Sequence, residues 1–306
     1  MNASIVYDVF HVNPFGWVVA VYFTVSAMAA GAFLLAAAVN LLGLKGQQAV
    51  GRTAALVAPL AGALAGLLLI AELGRPTRFW RVFTHFNPAS PVSWGAFILL
   101  AFIIIAVLYA RTVLAGKEEG SRGLVAAGAA LACLIPVYTG FELVRGRVSP
   151  LWNSPLIPVL FFFAAGVVGL SAVVLIGSAL TAGVARRLGA SGVAAAGDGV
   201  APAAGLGKTI AFFLAGSLVL VVIQLLALAG ASTEAVTIVR KVLAGRFAVL
   251  FWGGYLAVGT VVPFVIFTGR GAGNRTLQAL ASLLAVLGVF ALRLVDIIGG
   301  QSFPLN

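Results

Sequence analysis

Three pairs of ionisable or phenolic side chains sit at helical spacing where long apolar stretches of this chain run out. Tyr138 and Glu142 are four residues apart, so on a helix they share one face. Glu72 and Arg75 are three apart and can pair, and Pro76 then stops the helix. Arg293 and Asp296 repeat the three-residue spacing near the end of the chain. A phenol can donate a hydrogen bond to a carbonyl, and a carboxyl group can take or give a proton. The combination is that of proton-coupled chemistry. Two of the pairs also have a bland reading. Glu72 with Arg75 could be a helix-end lock with a snorkelling arginine, and Tyr138 an aromatic-belt residue. Ionisable residues inside membrane spans are nonetheless functional candidates by default.

The connections beside these pairs are polar too. Phe83-Thr84-His85-Phe86-Asn87-Pro88 leads to Ser90-Pro91, and Trp152-Asn153-Ser154-Pro155 opens a later stretch in the same way. Ser-Pro reads as an N-cap with proline at the first helical position. Capping does not account for His85, Asn87, Trp152 and Asn153, which offer hydrogen bonds and an aromatic plane beside helix N-termini. Tyr22 lies in the first apolar stretch, with Ala29, Ala30 and Gly31 further in, small enough for close helix contact. Gln224, near the centre of the sixth stretch, reads as an interhelical hydrogen bond.

Positioning these residues falls to a membrane bundle. Hydrophobic residues make up 62% of the 306, charged residues 9%, and the mean hydropathy is +1.13. A bilayer core takes roughly 20 apolar residues per helix. Windows of that length give eight spans, at about 15–43, 52–71, 92–114, 122–143, 156–183, 208–230, 247–268 and 275–298. The expected fold is all-α and integral to the membrane, one polytopic domain over 1–306, with an even span count placing both termini on one side. The interval from Arg186 to Lys208 is rich in Gly and Ala and reads as a flexible loop. Met1 to Pro14 lacks a basic n-region, so no cleaved leader is expected.

Composition also excludes classes. The net charge of +11 is scattered through short loops and forms no stripe, which argues against nucleic acid and for topology signals and lipid headgroup contacts. A dihaem cytochrome needs four axial histidines, and the chain has two, His11 and His85, neither of them mid-span. Cys133 is the single cysteine, which excludes Cys-ligated iron–sulfur clusters and internal disulfides and suggests a small buried hydrophobe. No metal site is expected. Basic residues divide almost evenly between the two faces. Discounting the arginines that neighbour acids or Pro-rich corners puts both termini outside.

Taken together, Glu72-Leu73-Gly74-Arg75-Pro76, Phe86 to Gly95, Tyr138-Thr139-Gly140, Trp152-Asn153-Ser154-Pro155, Phe251-Trp252-Gly253 with Val262-Pro263, and Arg293 to Gln301 resemble the NrfD/polysulfide reductase membrane-subunit family. The resemblance covers essentially the whole chain. It implies a quinone-reactive subunit of a bacterial or archaeal plasma-membrane respiratory complex, with no haem or iron–sulfur cluster of its own, and not a complete redox enzyme alone. It further implies a ferredoxin-like iron–sulfur partner, often with a molybdopterin or cytochrome catalytic subunit beyond it. The exchangeable substrate would be menaquinone or ubiquinone. The family's quinone pocket maps onto Tyr138, with Glu72, Arg75 and Asn153 close by. By residue type Tyr138 or His85 can donate to a quinone carbonyl and Glu72 or Glu142 can relay protons, with Asn87, Trp152 and Tyr22 as further binding candidates. Some members carry a histidine in the first span where this chain has Tyr22. The rival classes are a transporter or exporter of a small anion or proton-coupled solute, and a purely structural anchor. The first expects ionisable groups near the midplane, which here is almost bare apart from Gln224.

Overall fold

In the computed structural model, the described residues are 15–44, 46–73, 76–88, 90–117, 121–146, 149–179 and 204–301. Eight helices among them are long and apolar enough to cross a membrane. In chain order these spans are Trp17–Leu41, Gln48–Glu72, Pro91–Leu114, Arg122–Arg145, Leu156–Ala179, Gly205–Ala229, Val249–Thr268 and Arg275–Gly299. The expected boundaries hold to within a few residues. Most of the interval read as a flexible loop, and Arg75 with its expected pairing to Glu72, lie outside the described residues.

Spans one to four form one group and spans five to eight another, with the first span touching the second, fourth, fifth and eighth. The first and fifth spans are the most enclosed. Their contact depends on glycine. A Cβ on Gly31 would collide with the carbonyl of Ala165 and come within 3.0 Å of Gly169 Cα, so the backbones meet where sequence placed the small residues. The seventh and eighth spans cross in the same way at Gly259 and Gly288.

Two short elements between the spans were not anticipated. Pro76–Arg78 and Arg81–Thr84 form single helical turns that fold over the gap between the second and third spans. Thr233–Leu243 is an amphipathic helix capped by Ser232, whose hydroxyl accepts from the Ala235 N–H at 3.2 Å. The seventh span is also irregular, a π-helix over Val249–Val261. Pro263 has no N–H to give back to the preceding turn, and Thr260 Oγ donates to the Tyr255 carbonyl five residues earlier at 2.9 Å. The eighth span ends in a second π segment, Val295–Gly299.

The described ends of the chain meet. The Phe15 N–H donates to Gln301 Oε1 at 3.0 Å, and Gln301 Nε2 returns a bond to the Phe15 carbonyl at 2.8 Å. The face they share is called the terminal face below. Cys133 is half-buried, more open than the enclosed position expected of it. Its neighbours in the fourth span include the exposed Leu134, so this stretch of helix faces lipid on one side.

Candidate functional site

Tyr138 sits two residues after Pro136 in the fourth span, about two turns short of the helix end. Proline frees the Ala132 carbonyl one turn back, and Thr139 Oγ braces the next turn by donating to the carbonyls of Ile135 and Pro136, each at 3.0 Å. The phenol then points inward and forms a buried hydroxyl–hydroxyl hydrogen bond with Tyr22 of the first span. Tyr22 is 3% exposed and Tyr138 8%. Glu142, half-buried, stands one turn further along the face that carries Tyr138.

Gly95 of the third span makes room for this pair. A Cβ there would strike the Tyr138 ring, so any larger residue would push the phenol out of line. The next residue, Ala96, lines an apolar cavity of about 450 Å³ between the second and third spans. Leu73, Phe79, Val82, Phe83 and Ile103 contribute to its wall, with the turns at 76–84 closing its end. The volume is within the range of small-molecule sites. Phenol and cavity thus occupy adjoining sides of one turn of helix.

Glu72 ends the second span at the same face. Its Oε1 accepts from the Gly16 N–H, at the start of the first span, at 3.3 Å. A carboxylate at a helix N-terminus is favourably placed. Gly16 and Tyr22 are six residues apart, so this carboxylate lies roughly 9 Å up the helix axis from the tyrosine backbone.

The other residues singled out from sequence divide between surface and interior. His85 is exposed, and its Nδ1 bonds the Thr84 hydroxyl at 2.9 Å. Asn87 is exposed, and its backbone N–H donates to Ser93 Oγ at 3.4 Å. Asn153 is likewise exposed. Trp152 is fully buried, and its indole N–H donates to the Asp296 carbonyl at 2.7 Å. Its ring meets Phe15 edge-on, centroids 5.9 Å apart. It closes against Gly300, where a Cβ would not fit. Ser90 takes the N-cap position, although its side chain makes no capping bond, whereas Ser154 Oγ accepts from the Leu156 N–H at 3.3 Å.

A second polar cluster lies in the other group of spans. Arg293 and Asp296 form a buried ion pair, Nη1 to Oδ2 3.4 Å, with side chains 0% and 5% exposed. The guanidinium lies over the Phe161 ring, 3.3 Å from its centroid. Arg293 Nε and Nη2 find no hydrogen-bond acceptor among the described residues. Gln224 makes the interhelical bond expected of it, Nε2 to the Leu151 carbonyl at 3.1 Å.

Sequence reasoning overlooked Tyr255 and the bracing at Gly16 and Gln301. Tyr255 follows two glycines in a stretch with no acidic or basic residue nearby, so nothing local flags it. Gln301 does belong to the Arg293 to Gln301 stretch that carries the resemblance, yet its partner is 286 residues away.

The arrangement defines a class, an eight-span membrane protein with a buried phenol pair and carboxyl groups collected at one face. A family model described as polysulphide reductase, NrfD, matches residues 8–305, and the chain belongs to that family. It is similar to the C subunit of polysulfide reductase from Wolinella succinogenes, 27% identical over 312 residues and covering 94% of each sequence. It also resembles the NrfD protein of Escherichia coli, 30% identical over 192 residues, which is 54% of this chain and 59% of that one. A third relative is the Hdr-like menaquinol oxidoreductase integral membrane subunit of Archaeoglobus fulgidus. It is 28% identical over 146 residues, 47% of this chain and 36% of the relative. The protein is thus a multi-pass integral membrane member of a family of oxidoreductase membrane subunits.

Proposed function

We propose that this chain carries the quinone site of a respiratory complex, exchanging electrons between menaquinone or ubiquinone in the membrane and an iron–sulfur subunit. The observation that carries the reading is the buried Tyr22–Tyr138 hydroxyl pair with Glu142 one turn away, beside an apolar cavity. Two phenols hold two protons, and their mutual bond uses one. The other remains to donate to a quinone carbonyl. Oxidation of a quinol releases two electrons and two protons, so each turnover needs a base near the ring and a route for protons to water. In this reading Glu142, one turn from Tyr138, relays protons from the phenols, and Glu72, at the end of the second span beside Gly16, passes them towards water. The electrons pass to clusters in a ferredoxin-like partner on that face, with a molybdopterin or cytochrome subunit beyond it. The relative named as a menaquinol oxidoreductase subunit supports the choice of substrate class. The reading puts the chain in a bacterial or archaeal plasma membrane with the terminal face outside.

The test uses the whole complex. Tyr138→Phe keeps the ring against Gly95 and removes the hydroxyl. Losing one such donor costs ~2.7–4 kcal/mol of transition-state stabilisation, roughly a hundred- to thousand-fold in rate. Quinol-dependent turnover should fall by that factor, while an artificial donor feeding the soluble subunits directly should give an unchanged rate. Undiminished quinol turnover would remove Tyr138 from the chemistry, and an equal fall in both assays would make it structural. Glu72→Gln should slow the quinol reaction less, since an amide still accepts from Gly16.

A further inference from the structure

On the face opposite the termini, a cavity of about 830 Å³ opens between the turn joining the first two spans and the turn joining the third and fourth. Arg52, Lys117 and Arg122 line it together with Gln48, Val39 and Tyr109. The described lining contains no carboxylate. Glu118 and Glu119 follow Lys117 in sequence and lie outside the described residues. They do not cancel the charge. The two connections, taken over 42–52 and 111–122, carry five Lys and Arg against those two acids, a net of +3.

The wall is built to last. Tyr109 is 2% exposed, and its ring meets Phe33 edge-on with centroids 5.7 Å apart. A Cβ on Gly51 would come within 2.8 Å of Val39 Cγ1, so the first two spans touch tightly in the cavity wall. Gly43, Gly46 and Gly116 turn the chain with φ of 61°, 82° and 67°, which lets both connections stay short. Two helix N-termini, at Gln48 and Arg122, face this side, as do two C-termini, at Leu41 and Leu114. Their dipoles oppose one another, so the side-chain cations set the field.

We infer that this cavity binds the phosphate of an anionic phospholipid headgroup. Position selects a lipid over a soluble anion. The cavity lies where four spans leave the apolar layer, with cations in its lining and the buried Ala36 and Val39 a turn or so inside the end of the first span, an arrangement that suits a charged head on an acyl chain. Basic hollows between spans are a recurrent headgroup-binding device. The inference does not depend on the quinone reading, because no residue is shared between the two sites.

Delipidated full-length protein in detergent, titrated with phosphatidylglycerol, phosphatidylcholine or inorganic phosphate, tests this, with bound lipid counted by native mass spectrometry. The unmodified chain should prefer phosphatidylglycerol. Lys117→Gln with Arg122→Gln should weaken that binding roughly thirtyfold, and Arg122→Gln alone about fivefold should the double variant fold poorly. Arg122→Lys should retain most of it. Arg78→Gln with Arg81→Gln, on exposed residues of the terminal face, should change nothing. Equal phosphatidylglycerol binding by all variants would overturn the inference. So would competition by millimolar inorganic phosphate at the same site, which would make it a receptor for a soluble anion.

Discussion

Spans one to four and spans five to eight both bury polar groups near the terminal face, and they do so in opposite ways. In the first group the buried partners are two neutral phenols from different helices, with half-buried carboxyl groups further out and an apolar cavity alongside. In the second they are a full positive and a full negative charge on one helix, three residues apart, sealed under Phe161 and next to Trp152. Neutral hydroxyls can be uncovered or rearranged at small cost, because each remains able to bond a substrate. A buried charge cannot give up its partner without a large desolvation penalty. Under the proposed function the first group would exchange the ligand, and the second would hold its shape meanwhile. The two are coupled at the terminal face, where Trp152 bonds Asp296 and meets Phe15, and Gln301 ties down the start of the first span.

This contrast breaks most severely at Asp296. Asp296→Ala strands Arg293 as an uncompensated charge and should destabilise the protein by ~3–5 kcal/mol. Thermal unfolding in detergent would register it. Replacing both partners at once, as Arg293→Met with Asp296→Leu, should be far milder. If the single and double variants lose equal stability, the pair is not behaving as a locked charge.

A smaller effect is expected at Gly95. Gly95→Ala forces a methyl group into the Tyr138 ring and should cost about 1–3 kcal/mol in strain. It should also depress quinol turnover more than the artificial-donor rate, since the displaced group is the phenol. Equal loss in the two assays would mean that Gly95 supports the bundle without placing the site.

The mildest variant sharpens the coupling between the halves. Trp152→Phe removes one hydrogen bond to the Asp296 carbonyl and should cost ~1 kcal/mol or slightly more. Hydrogen exchange should then rise at both 15–20 and 295–301. A change confined to one of those segments would show that the two groups of spans move independently there.

The sequence by itself determined the class of fold. Apolar stretches of about 20 residues admit few alternatives to spanning helices, because backbone groups must bond within each segment when no water is present. Helical spacing likewise determined that Tyr138 and Glu142 share a face, and that Arg293 and Asp296 can pair, since both relations are local. The small residues at Gly31 marked a real contact for the same reason: absence of bulk is visible in one dimension. Tertiary structure alone decided the partners. Tyr138 meets Tyr22 across 116 residues, Glu72 meets Gly16 across 56, and Trp152 meets Asp296 across 144. It also separated Trp152, wholly buried, from Asn153, exposed beside it. Periodicity says which side chains share a face of one helix, but which face meets which neighbour is set by interhelical contact, and that depends on every span at once.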